Sequence, residues 1–300
     1  MAQLIHYTTC PVCDSTHFQE VFTVKDFSVS EETFNIMECA TCSLRFTQDA
    51  PAKNSMNAYY ESEDYISHSD TSKGLINKLY KKVRQFTLKQ KASLVQKSCD
   101  KKQGSLLEIG SGTGAFAAEM KKRGWEVTGL EPDEKARINS LALHQVDLQP
   151  VENFYTLPPA SFDVITLWHV LEHVHDLHTY MKKFRELLTP EGTLIIAVPN
   201  YTSKDANIYK EYWAAYDVPR HLYHFSPLSM KKLTEKHGMK IKEYKPMWFD
   251  SFYISLLSTK YKRGKTNWIA SIFNGMFSNI LALTQPRNCS SVTYIIQNNH

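Results

Sequence analysis

No run of about 18 uninterrupted apolar residues occurs in this 300-residue sequence, so no segment reads as a membrane span. The greasiest stretch, 267–284, is interrupted by Asn, Ser and Gly. Its apolar residues Ile269, Ile272, Phe273, Phe277, Ile280 and Leu281 fall near helical spacing and predict an amphipathic helix. The first residues, MAQLIHYTTC, lack a basic segment followed by an apolar one, so the expectation is a cytoplasmic protein without a secretory signal. Internal repeats and low-complexity tracts are absent. So is a strong charge of one sign: 35 Lys and Arg against 31 Asp and Glu leave +4, short of what a dedicated nucleic-acid binder carries. What is present is enough apolar matter for a sizeable core, 42% hydrophobic and 12% aromatic, which excludes intrinsic disorder.

Six cysteines occur, and four of them form CPVC (Cys10, Cys13) and CATC (Cys39, Cys42). Two CxxC hairpins joined by a β-rich stretch bring four thiolates together, an arrangement suited to tetrahedral zinc. Such a site has no open position, so the zinc is expected to hold a small ribbon together and to do no chemistry. The rival readings are four buried thiols or two disulfides, which a reducing compartment disfavours. Cys99 and Cys289 read as packing residues.

A tyrosine-rich stretch follows Pro51, with Tyr59, Tyr60 and Tyr65 as core aromatics or as a flap over a ligand. Residues 74–98 then place Leu75, Leu79, Val83, Phe86 and Leu94 at roughly helical spacing. From Lys73 to Lys102 ten Lys or Arg face one Asp, either a solvated helix face or an anion- or RNA-facing one. From Ser105 onward strand and helix signals alternate, which gives a parallel sheet covered on both faces, with sites at the carboxyl ends of its strands. The expected organisation is a zinc ribbon over 1–50, a helical linker or lid over 51–102, and an α/β domain over 103–300.

The first of these strands ends in Glu108-Ile-Gly110-Ser111-Gly112-Thr-Gly114, and a helix follows. Glycines there let a ligand approach the main chain, and the helix start offers free N–H groups. Gly110, Gly112 and Ala115 satisfy a dinucleotide fingerprint in letter. Glu108, however, would repel a pyrophosphate and suits a ligand with an ammonium and a sulfonium. Glu131, ending the second strand, is placed to accept from ribose hydroxyls. S-adenosylmethionine (SAM) therefore fits better than NAD.

With EIGSGTG, LEPD, FDVITLWHVLEHVHD and LLTPEGTLIIAVPN in this order, the chain resembles class I SAM-dependent methyltransferases, in particular small-molecule and sugar methyltransferases with an N-terminal zinc ribbon. The resemblance implies a doubly wound, Rossmann-like sheet of seven strands, the last antiparallel. It implies that Glu108, Gly110, Ser111, Gly112 and Gly114 border the methionine part of SAM or S-adenosylhomocysteine, and that Glu131 and Pro132 border the ribose. Trp168 and His169 would lie beside the methyl group, and adenine near Asp147 to Gln149.

In-line transfer from an activated sulfonium needs the acceptor about 3 Å from the methyl and, where required, a base. WHVLEHVH supplies Trp168, His169, Glu172 and His173 after the fourth strand. YDVPRHLYHFSP supplies Tyr216, Asp217, Arg220, His221, Tyr223 and His224 beyond the fifth. Each histidine alone could be a helix cap or a core hydrogen bond. As a set, His221, His173, His169 and His224 with Tyr223 are the candidate catalytic residues. His173 and His221 match the active-site histidines of ribbon-bearing sugar C-methyltransferases. Where those have Tyr-x-Glu-His, this chain has Val218-Pro-Arg220-His221, which moves the expectation toward O-methylation and, through Arg220, an acidic or phosphate-bearing acceptor. The acceptor is read as a small molecule, a sugar or nucleotide-linked sugar among them. RNA methylation and a non-catalytic SAM-binding interaction protein are the alternatives.

Overall fold

The computed structural model describes residues 3–60, 75–266, 273–276, 278–280 and 285–299. Tyr65 and most of the helix expected over 267–284 lie outside these residues. At the N-terminus, β1 (Leu4–Ile5) pairs with β5 (Ala50–Pro51). Between them, β2 (Phe18–Lys25) and β3 (Thr33–Cys39) form the expected hairpin, and β4 (Arg45–Thr47) adds to β3. The fourth strand of this sheet, β10 (Tyr223–His224), comes from far along the chain and pairs antiparallel with β4. The ribbon is therefore completed by the same loop that carries the second histidine cluster, and Cys10, Cys39 and Cys42 share one buried cluster with Leu107, Leu167 and Val198 of the large sheet.

Helix α1 (Leu75–Ser98) leads into β6 (Ser105–Ile109), α2 (Ala115–Lys122), β7 (Glu126–Leu130) and α3 (Glu134–His144). Next come β8 (Phe162–Trp168), α4 (Leu177–Leu187), β9 (Leu188–Pro199) and α5 (Lys204–Tyr209). After β10, α6 (Pro227–Lys236), β11 (Met239–Pro246), α7 (Asp250–Arg263) and β12 (Ser291–Asn298) complete the chain. Ser226 caps α6 through a capping box with Ser229, with Pro227 at the first turn, as the Ser-Pro pair predicts.

The large sheet runs β11-β12-β9-β8-β6-β7; β6, β7, β8 and β9 are parallel, and β12 lies antiparallel between β9 and β11. It has six strands, where seven were expected. The missing one would follow α3, and its place beside β7 is held by a single bridge, Leu130 to Gln149. Gln149 exchanges two backbone bonds there, with Gly129 and Glu131, and Pro150 then brings a residue with no N–H to extend a ladder.

Helix α1 packs only partly on the stripe the spacing suggested: Leu94 sits against the buried cluster that holds Ala92 and Val95, but Phe86 does not. Ala92 and Val95 are fully buried, whereas Phe86 is 52% exposed and touches Phe249 edge-on. The basic run is not one solvated face either, because Lys91 points inward at the large sheet's Trp168.

Candidate functional site

The glycine loop follows β6 and bends back on β7. The N–H groups of Gly110 and Ser111 both donate to the Leu130 carbonyl, at 2.8 and 3.0 Å. Gly114 is left-handed (φ 76°), and a Cβ there would come within 2.0 Å of Ser140 Oγ, which itself donates to the Val146 carbonyl. Gly112 is also left-handed, but a Cβ there would meet nothing within 4 Å, so this glycine faces open space. Its N–H donates to Glu131 Oε2 at 2.7 Å, while Oε1 accepts from the Asp133 N–H at 3.0 Å. Glu131 is thus tied to the loop that the sequence places around the donor, and Ser111 Oγ donates to the Glu108 carbonyl. Pro132 is exposed beside it and uses its carbonyl to accept from Arg137.

Glu108 is 3% exposed, and its Oε2 has no hydrogen-bond partner. Burial pushes its carboxyl up to about 8 against the pull of Lys91. A carboxyl in this state is one that an arriving cation would restore to carboxylate. Lys91 stands 4.5 Å over the Trp168 ring, and burial lowers its ammonium's pKa while Asp250 and Glu108 hold it up. Trp168 also meets Phe116 edge-on, and its indole N–H has no partner. Lys91 and Asp250 were not singled out by the sequence: one is a lysine among ten basic residues, the other lies 81 residues from the histidine it binds.

Past β8 the chain turns through His169 in a left-handed conformation (φ 59°), an uncommon state for a non-glycine that concentrates at functional sites. His169 Nε2 lies 2.8 Å from Asp250 Oδ2 and Nδ1 lies 3.4 Å from Glu172 Oε1. Burial opposes its charged form, but the two carboxylates win and raise it to about 10. His169 is therefore a cation at neutral pH and has no lone pair to serve as a base.

His173 and His221 meet edge to face, ring centroids 4.5 Å apart. His173 Nδ1 donates to the Arg220 carbonyl at 3.0 Å, with the Tyr60 hydroxyl at 3.1 Å. His221 Nδ1 donates to the Ala215 carbonyl at 2.9 Å. Because a carbonyl only accepts, Nδ1 carries a proton in both rings, and His221 Nε2 lies 3.9 Å from Asp217 Oδ2. Burial and the neighbouring His221 lower His173 to about 4, so it is neutral across the physiological range. Glu172 is fully buried, neither of its carboxylate oxygens has a hydrogen-bond partner, and its atoms with one ring nitrogen of each histidine lie within 4.8 Å of one another.

The remaining candidates stand apart from this cluster. His224 Nε2 meets Thr47 Oγ1 at 3.1 Å, and burial drives its pKa well below the ordinary value. The Tyr223 hydroxyl pairs with that of Tyr7 at 3.4 Å. Arg220 does not present an anion site: it is 1% exposed, with Nη2 2.9 Å from Asp26 and 2.7 Å from Asp217, and Nη1 donates to the Tyr59 carbonyl. The Tyr59 hydroxyl instead donates to Glu32. Arg220 ties the ribbon's Asp26 to the loop holding His221.

In the ribbon the four sulfurs lie within 4.8 Å of one another, with Cys10–Cys42 and Cys13–Cys39 both at 3.5 Å. Tetrahedral zinc with bonds of about 2.3 Å spaces its sulfurs about 3.8 Å apart, so the set fits that ion. Each CxxC closes the same way, Asp14 N–H to Cys10 carbonyl and Ser43 N–H to Cys39 carbonyl, followed by a left-handed residue.

The sequence pattern of a family described as a methyltransferase domain matches residues 78–244. A ubiquinone biosynthesis O-methyltransferase of Idiomarina loihiensis is 34% identical over 106 residues, 33% of this chain and 44% of that protein. One of Aeromonas salmonicida is 28% identical over 175 residues, 53% of this chain and 71% of that protein. The match thus spans less than half the length of the first of these relatives. Among solved structures, a putative sarcosine dimethylglycine methyltransferase of Galdieria sulphuraria superposes with a TM-score of 0.50 at 13% identity, over 71% of this chain and 85% of that one, a likeness of fold alone. No helix among the described residues is long and apolar enough to cross a membrane.

Proposed function

The chain belongs to the methyltransferase-domain family and is a SAM-dependent methyltransferase, and on that premise we propose that it methylates a hydroxyl oxygen of a small molecule. The glycine loop with Glu108 and Glu131 receives the donor, Glu108 matching its ammonium and Glu131 its ribose. The acceptor lies over Glu172, His173 and His221, where an Nε2 lone pair withdraws the hydroxyl proton as oxygen displaces sulfur. His169 and His224 orient rather than deprotonate, and Tyr223 braces the ribbon contact. Zinc on Cys10, Cys13, Cys39 and Cys42 stiffens the module at 1–50, and the segment 51–102 contributes Tyr60 and Lys91 to the site walls of the domain at 103–300. The O-methyltransferase names of the relatives support oxygen as the acceptor atom, and the ribbon supports a sugar, free or nucleotide-linked, as the first acceptor class to try.

The observation that carries this reading is the fully buried Glu172 carboxylate, with neither oxygen in a hydrogen bond and His169 only 3.4 Å away, set beside the edge-to-face pair His173 and His221. The experiment incubates the protein with methyl-tritiated SAM and either ultrafiltered cell extract or bulk tRNA. Label is expected in the small-molecule fraction, at levels well above a protein-free control. Label confined to tRNA would overturn the acceptor class.

A further inference from the structure

The geometry points to a second metal site, a divalent-cation centre formed by Glu172, His173 and His221 at the acceptor position. It rests on the reading that the acceptor occupies this pocket and names how it would be held. Three observations meet here. The ligand atoms of the three residues lie within 4.8 Å of one another, so modest side-chain rotation brings them onto one ion. Each histidine already anchors Nδ1–H on a backbone carbonyl, Arg220 for His173 and Ala215 for His221, the support by which proteins aim an Nε2 lone pair at a metal. Glu172, at 0% exposure, has neither oxygen in a hydrogen bond, and a buried carboxylate in that condition is costly unless a cation completes it. The nearby His169 is engaged by Asp250 and approaches Glu172 Oε1 only to 3.4 Å, which offsets part of that charge and leaves Oε2 to bind.

Two imidazoles and one carboxylate suit a first-row divalent ion with open positions, unlike the closed four-thiolate set of the ribbon. The open positions would take two adjacent oxygens of the acceptor, a hydroxyl beside a carbonyl or a second hydroxyl. Bound so, the hydroxyl loses its proton to water, the oxygen forms its bond to the methyl carbon, and the sulfur–carbon bond breaks with its electron pair passing to sulfur. The cation then does what the free imidazoles would otherwise do.

Mn2+ is the probe, because hard-ligand preference keeps it off the ribbon thiolates. Titration of the zinc-replete protein, followed by electron paramagnetic resonance, is expected to immobilise one Mn2+ per chain, with affinity falling tenfold or more in Glu172→Gln and in His221→Ala. Pulsed spectra of wild-type protein carrying 15N-histidine keep the test independent of whether the variants fold, and directly bound nitrogen couplings are expected. Free Mn2+ at millimolar concentration, or a spectrum of water ligands alone, would overturn the site. Tritium transfer that proceeds equally with and without Mn2+ would remove the cation's role and leave the acceptor reading standing. Mn2+ bound to the histidines without any transfer would uphold the site and sink that reading instead.

Discussion

Replacing Cys42 with Ser is expected to reduce bound zinc from one per chain to nearly none and to lower the main melting transition by about 10 °C or more. The ribbon's core is small, and a structural zinc supplies on the order of 10 kcal/mol to such modules when they stand alone. Here the loss propagates, because β4 pairs with β10, and the Thr47 N–H and Oγ1 hold the carbonyls of Leu222 and His221. Cys99→Ser is the internal control. Cys99 lies outside the thiolate cluster and donates to the Val95 carbonyl, so its zinc content and melting should stay near wild type. Metal analysis with calorimetry checks both variants. A Cys42→Ser protein that retains one zinc and melts with wild type would contradict the ribbon's role.

Arg220→Ala is expected to cost about 3–5 kcal/mol at neutral pH, because it strands buried carboxylates rather than merely deleting contacts. Asp26 keeps the N–H groups of Ser28, Val29 and Ser30, but Asp217 loses its principal partner. The pH dependence separates this cause from lost packing. In the wild type, burial works against both carboxylates, yet Arg220 depresses them below the ordinary range, so their contribution is present above the unfolded carboxyl pKa and fades only as pH falls through the depressed folded values. Without the guanidinium, burial raises them. The folded variant then takes up protons more readily than the unfolded chain, and its deficit should narrow between pH 7 and pH 5. A deficit that is constant over that range would assign the loss to packing. Arg220→Lys should recover part of the stability, since charge returns without the fork that reaches Asp26 and Asp217 together.

Arg220 also shows where sequence and structure part. An arginine beside a candidate histidine reads as an anion receptor until its partner is known, and Asp26 lies 194 residues away. Local patterns carried further. The CxxC pairs, the glycine loop, the Ser226 cap and the alternation from Ser105 onward are short-range, and each element is present. The third strand was weakly written and forms as one bridge. Of the two histidine groups, His169, His173 and His221 gather around Glu172, whereas strand pairing turns His224 and Tyr223 toward β4 and the ribbon. Lys91 lay in a basic run whose spacing gave no sign that one member turns inward.

The separation of donor and acceptor duties is tested most directly by measuring two quantities on two variants: the calorimetric Kd for S-adenosylhomocysteine and the single-turnover rate of methyl transfer. For His221→Ala the expected result is an unchanged Kd and a rate lower by about 100-fold or more. For Glu131→Ala it is a Kd weakened by about tenfold or more, as expected from removing hydrogen bonds to a ribose. A His221→Ala protein that transfers methyl at the wild-type rate, with its Kd intact, would contradict the placement of the acceptor.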